Sequence, residues 1–160
     1  MTAIAVFGYG NESRGDDAIG PRLLHALDAL ALPGVECIED FQLQIEHALD
    51  LEGRDLALFL DAGEGTPEPF AFYEAKEMRN ITSSSHAILP GSVLGVYRQV
   101  RGAAPPPAFV LCVRGEQWQL GTDMGARAQA NLAAALDFAK GLLAEPDVTL
   151  WRARTTVESL

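Results

Sequence analysis

The sequence predicts an α/β protein: a five-stranded, mostly parallel sheet covered by helices on both faces, with one strand running against the rest. Three observations carry this. Short apolar runs alternate along the chain with stretches of helical period, the pattern of a sheet layered between helices. Glycine and proline break the chain between many of these segments. And two of the apolar runs are joined by a link too short for a parallel crossover, which takes roughly a dozen residues or more. At 160 residues, 48% hydrophobic, the chain suits one domain with a full three-layer core. We assign residues 1–145 to that domain and 146–160 to a C-terminal tail.

Ala3 to Phe7 is apolar and reads as a buried first strand, broken by Gly8-Tyr9-Gly10-Asn11. Leu23, Leu24, Leu27 and Leu30 then recur at helical spacing, so a helix covers about 18–31, with Pro21 tolerated in its first turn. Pro33-Gly34 ends it, and Val35 to Ile38 is the second strand. Ile45, Ala48, Leu49 and Leu51 suggest a short helix over about 43–52. Asp55 to Leu60 is the third strand, ending on Asp61-Ala62-Gly63, and Phe70 to Ala75 is the fourth. Only residues 62–69 separate these two, so the fourth should be antiparallel. Ser83-Ser84-Ser85 offers N-caps for a helix over about 86–102, with Pro90 near its first turn. Pro105-Pro106-Pro107 leads into a fifth strand, Phe109 to Val113, and a polar loop runs from Arg114 to Thr122. Leu132, Leu136, Ala139 and Leu143 mark a last helix. Beyond Pro146 the pattern weakens, and the tail is expected to be poorly ordered.

Twelve basic residues face 22 acidic ones, a net charge of −10. That balance repels phosphate backbones and anionic membrane surfaces, which argues against nucleic acid and membrane as partners. Cys37 and Cys112 are too few for a disulfide framework or a four-thiolate zinc site. No apolar run reaches the roughly 20 residues of a membrane span, and the N-terminus lacks a basic leader region. The expectation is a soluble, cytoplasmic protein.

Ligands of such sheets sit beyond the carboxyl ends of the strands, which selects three stretches. These are Gly8 to Gly20, Asp61-Ala62-Gly63 and Ser85-His86. The first contains glycines but not a dinucleotide fingerprint: the third glycine position is Ser13, and Asp16-Asp17 would repel a pyrophosphate. Asp is favoured at helix N-termini, so one of Asp16 and Asp17 can cap the helix while the other points into the cleft. Asp61 follows an apolar strand and needs a partner there; backbone N–H groups of Gly63 or Gly65 would suffice. His86 alone says little, and His25 and His47 follow surface-helix patterns. Two carboxylates and an imidazole nonetheless suit a divalent transition ion such as nickel or zinc, with a coordination position left open. Nucleophilic catalysis has less support: both cysteines fall inside strands, and neither Ser13 nor Ser85 sits on a strand-to-helix elbow.

Taken together, Gly8-Tyr9-Gly10-Asn11-Glu12-Ser13-Arg14-Gly15-Asp16-Asp17-Ala18-Ile19-Gly20, then Asp61-Ala62-Gly63, then Ser85-His86 with Leu89, resemble the [NiFe]-hydrogenase maturation endopeptidases. Leu111-Cys112-Val113-Arg114-Gly115 and the last helix also fall where that family has them, so the likeness spans about residues 1–143. The resemblance implies a three-layer α/β/α sandwich with one antiparallel strand in five. It implies removal of a C-terminal peptide from the hydrogenase large-subunit precursor after nickel insertion. Asp17, Asp61 and His86 would be both the catalytic and the metal-engaging residues, with nickel delivered by the substrate. The family often has Glu at the first position, so Asp17 is one methylene shorter. Where many members carry Gly-Gly-Thr after the second strand, this chain has Asp40 to His47, similar to the subgroup serving cytoplasmic NAD-reducing hydrogenases. Gln42 and Glu46 would there line the cleft or face solvent. The competing expectation is a module that senses nickel loading, or chaperones the large subunit, without cutting it.

Overall fold

The computed structural model describes residues 1–79 and 88–160. Five strands form one sheet: β1 (Ile4–Tyr9), β2 (Val35–Asp40), β3 (Leu56–Gly63), β4 (Phe70–Glu74) and β5 (Ala108–Arg114). Their order across the sheet is β2-β1-β3-β5-β4. β2, β1, β3 and β5 are parallel neighbours, whereas β4 pairs antiparallel with β5, Phe70 opposite Val113 and Glu74 opposite Phe109. The short link after β3 thus had the consequence that chain length dictates.

The central strands β1, β3 and β5 are apolar almost throughout, because both faces of the sheet are covered. α1 (Ile19–Asp28), α3 (Ala126–Ala144) and α4 (Val148–Ala153) lie on one face. There Leu23, Leu24, Leu27, Leu142 and Trp151 pack with Val6, Leu58 and Leu111. α2 (Pro90–Arg101) and a 3-10 helix at Ile45–Leu51 cover the other, where Val93, Leu94, Tyr97 and Leu51 meet Phe7, Phe59 and Val110. Phe7 and Phe59, neighbours in register on β1 and β3, stack at 4.7 Å between ring centroids.

Several elements differ from expectation. The first helix is shorter than 18–31 and is entered through a 3-10 turn at Gly15–Ala18. The segment expected over 43–52 is 3-10 rather than α-helical. α2 starts at Pro90, with Leu89 in the cap position, so its first turn is not capped by serine; Ser83-Ser84-Ser85 lie outside the described residues. It ends at Gly102, whose φ of 64° gives a left-handed C-cap.

The tail is the clearest correction. Residues 146–160 are not loosely ordered. Asp147 caps α4 by accepting the Leu150 N–H at 3.0 Å, and Trp151 is fully buried. The indole Nε1–H donates to the Leu142 carbonyl at 2.9 Å, and the ring meets Phe109 edge-on. One large aromatic supplies enough buried area to anchor a short helix that has little periodicity of its own.

Candidate functional site

The site is built at the carboxyl ends of β1 and β3. The last register pair between them is Gly8 with Leu60, so Tyr9 and Asp61 come next on adjacent strands. Alternation puts both on the face covered by α2, since Phe7 and Phe59, two residues earlier, pack there. Beyond Tyr9 the chain must reverse into α1 within a few residues. Gly20 lies so close to the Tyr9 carbonyl that a side chain would collide with it. Gly15 sits at φ 52°, a left-handed conformation, against the Gln117 carbonyl.

Within this loop the two aspartates have different roles, and neither is a helix cap. Asp16 is 2% exposed. Its Oδ2 accepts the N–H groups of Glu116 and Gln117 at 2.7 and 2.9 Å, and its Oδ1 accepts that of Gly125 at 2.9 Å. It thereby pins the loop after β5 to the loop after β1. Asp17 is part-exposed and accepts the Asn11 N–H at 2.7 Å through Oδ2. Asp17 is therefore the carboxylate with fewer partners, and Asp16 serves a distant loop rather than a helix end.

Asp61 is part-exposed, at the end of a strand whose preceding residues are all buried. Its Oδ1 accepts the N–H of Ala62 at 2.8 Å, not of Gly63 or Gly65. Burial raises its pKa to about 6; the Ala62 N–H opposes this, and the charge of nearby Asp17 adds to it. The two carboxylates thus share one neighbourhood. Around Asp61 stand groups that ionise only at high pH. Burial, then the Asp61 charge, raises the Tyr9 phenol well above its usual range. Burial pushes the Tyr73 phenol to about 12 and the Cys112 thiol to about 11. Cys112 is opposite Asp61 on β5, and the Thr66 hydroxyl lies 3.4 Å from its sulfur. The Tyr9 hydroxyl is fully buried and makes no full hydrogen bond among the described residues, yet its O–H is close enough to Asp61 to oppose the rise of that carboxyl.

His86 lies outside the described residues. α2 is oriented so that its start faces this end of the sheet: Tyr97 and Arg101, near its C-terminus, bind Glu52, just ahead of β3. Among the described residues no three of His, Cys, Asp and Glu form a metal-ligating group. His25 is exposed and pairs with Glu39 at 2.7 Å. His47 is not a surface residue: it is 7% exposed, with Nδ1 accepting the Gln44 N–H at 2.9 Å and Nε2 3.2 Å from Asp40 Oδ2. Gln42, Glu46 and Ser13 are exposed. Sequence reasoning missed Tyr9 as a site residue. The signal was there, since period-2 alternation along β1 places a polar aromatic beside the strand end that carries Asp61.

No family model matches the chain, and no curated protein does either. Solved structures do. The hydrogenase maturating endopeptidase HybD from E. coli superposes with a TM-score of 0.73 at 23% identity, covering 91% of this chain and 94% of that one. An endopeptidase from Escherichia coli gives 0.70 at 24% identity, over 92% and 95% of the two chains. The [NiFe] hydrogenase maturation protease HycI from Thermococcus kodakarensis KOD1 gives 0.69 at 20% identity, over 90% and 94%. The chain therefore has the fold of the [NiFe] hydrogenase maturation proteases, over nearly its full length and nearly theirs.

Proposed function

We propose that this chain is a cytoplasmic endopeptidase that removes a C-terminal peptide from a [NiFe]-hydrogenase large-subunit precursor once nickel has been inserted. The observation that carries the reading is the fold, similar to that of the maturation proteases, with Asp61 at the end of β3 and Asp17, in the turn that follows β1, near enough for its charge to act on Asp61. Nickel enters here as part of the substrate. Asp17, Asp61 and His86 would complete the coordination of an ion already held by the precursor, two carboxylates and an imidazole being suitable donors. That grip would fix the scissile peptide in the cleft, which lowers the barrier by positioning.

Asp61 also suits proton transfer. With a pKa of about 6 it is mostly ionised at neutral pH yet basic enough to take a proton from water. Water adds to the peptide carbonyl carbon, its proton passes to the carboxylate, and the C–N bond breaks as the departing nitrogen is protonated. Either the ion polarises the carbonyl or activates the water, or it serves recognition alone and Asp61 acts as the base.

The test is processing of nickel-loaded and nickel-free precursor, with the products weighed by mass spectrometry. Cleavage of the loaded form alone is expected, lost in Asp61→Ala and in His86→Ala. Wild-type rates in both variants would refute the three-residue site. Nickel-dependent binding without any cleavage would instead indicate a sensing module.

A further inference from the structure

Among the described residues the hydroxyl of Tyr9 makes no full hydrogen bond, although it lies near enough to Asp61 for each group to act on the other. The ring packs in the core with Phe7, Phe59 and Cys112, and the residue is 9% exposed. Its oxygen is buried. A buried hydroxyl left unpaired is costly, and phenylalanine would fill the same space without that cost. The strand register places this oxygen on the same face as Asp61, one strand away. Asp61 Oδ1 is taken by the Ala62 N–H, which leaves Oδ2 to settle the rotation of the carboxylate. The phenol stays protonated at working pH, because burial and the Asp61 charge raise its pKa; it can only donate towards a carboxylate.

We propose that Tyr9 is a positioning residue: its buried O–H donates to Asp61 Oδ2 when nickel-bearing substrate engages, and holds the carboxylate turned towards the ion. This rests on the reading of Asp61 given above. In the free protein the Tyr9 O–H already acts on the Asp61 carboxyl without making a full hydrogen bond to it, as such a role predicts, since catalytic hydrogen bonds are often long until the complex forms. No atom changes hands: Tyr9 keeps its proton, and Asp61 meets the substrate.

Tyr9→Phe removes one oxygen and keeps the ring, so the fold should survive with its melting temperature unchanged or raised. The readout is the Kd for immobilised precursor, measured with and without nickel. Tyr9→Phe should weaken binding of nickel-loaded precursor about tenfold and leave the nickel-free form within twofold of wild type. In an Asp61→Ala background the same substitution should cost nothing further. Three results would overturn the assignment: an unchanged Kd for loaded precursor, an equal loss for nickel-free precursor, or a loss that persists without Asp61. A fall in melting temperature with no nickel-dependent effect would mark Tyr9 as purely structural and overturn it too. If Asp61→Ala itself binds and cleaves like wild type, it is the function that fails, and the two failures are thereby told apart.

Discussion

Replacing Asp61 by Asn should make the protein more stable and inactive at once. Burial lifts the carboxyl from its ordinary 3.8 to about 6, which costs the ionised form about 3 kcal/mol relative to the protonated one. Asp61 keeps some exposure, so water screens part of this. Asn can still accept the Ala62 N–H but brings an amide that needs its own partner. A gain of about 1–3 kcal/mol at pH 8 follows, or several degrees in Tm for a chain of this size. The sign of the pH dependence is set by linkage. The folded protein binds this proton more tightly than the unfolded chain, so wild type loses stability as pH rises from about 4 through about 6. The advantage of Asp61→Asn is therefore full above pH 6 and vanishes near pH 4. Urea titrations of both proteins at pH 4, 5, 6 and 8 measure it. A variant less stable than wild type at pH 8, or a stability gap independent of pH, would refute the reasoning.

Asp16→Ala removes an acceptor from three part-buried N–H groups and should destabilise by about 2–4 kcal/mol; an equilibrium unfolding midpoint within error of wild type would contradict the clamp. Trp151→Ala should cost about 3–5 kcal/mol and raise protease sensitivity after residue 144, read by limited digestion. Because nickel belongs to the substrate in this mechanism, purified protein dialysed against a chelator should hold only traces of it and still process preloaded precursor. Stoichiometric nickel after that treatment, by elemental analysis, would show a resident metal instead.

The loops at the carboxyl ends of the strands are legible in the sequence because they depend on local rules. Gly8 to Gly20 had to be a tight reversal, Asp61 had to end a buried strand, and residues 62–69 were too few to cross the sheet. Misreadings occurred where a partner far along the chain decides. His47 reads as a surface residue because histidine is usually exposed on a short amphipathic segment, yet Asp40 and the Phe7 ring enclose it. The tail looked disordered because Trp151 is its sole large anchor, and an anchor is invisible without its socket between Phe72 and Phe109.

By itself, then, the order of residues determined the alternation of strands and helices, the reversed direction of β4 and the loops that could carry chemistry. Periodicity, turn residues and link lengths act over a few positions and need no knowledge of the rest. Only tertiary structure decided which of two adjacent carboxylates is free. Asp16 is claimed by amides about a hundred positions away, and Asp17 is left beside Asp61. The same holds for the buried Tyr9 hydroxyl, whose meaning comes from the register of a neighbouring strand. Burial and long-range hydrogen bonding set the chemistry of each group, and both exist only once the chain has closed on itself.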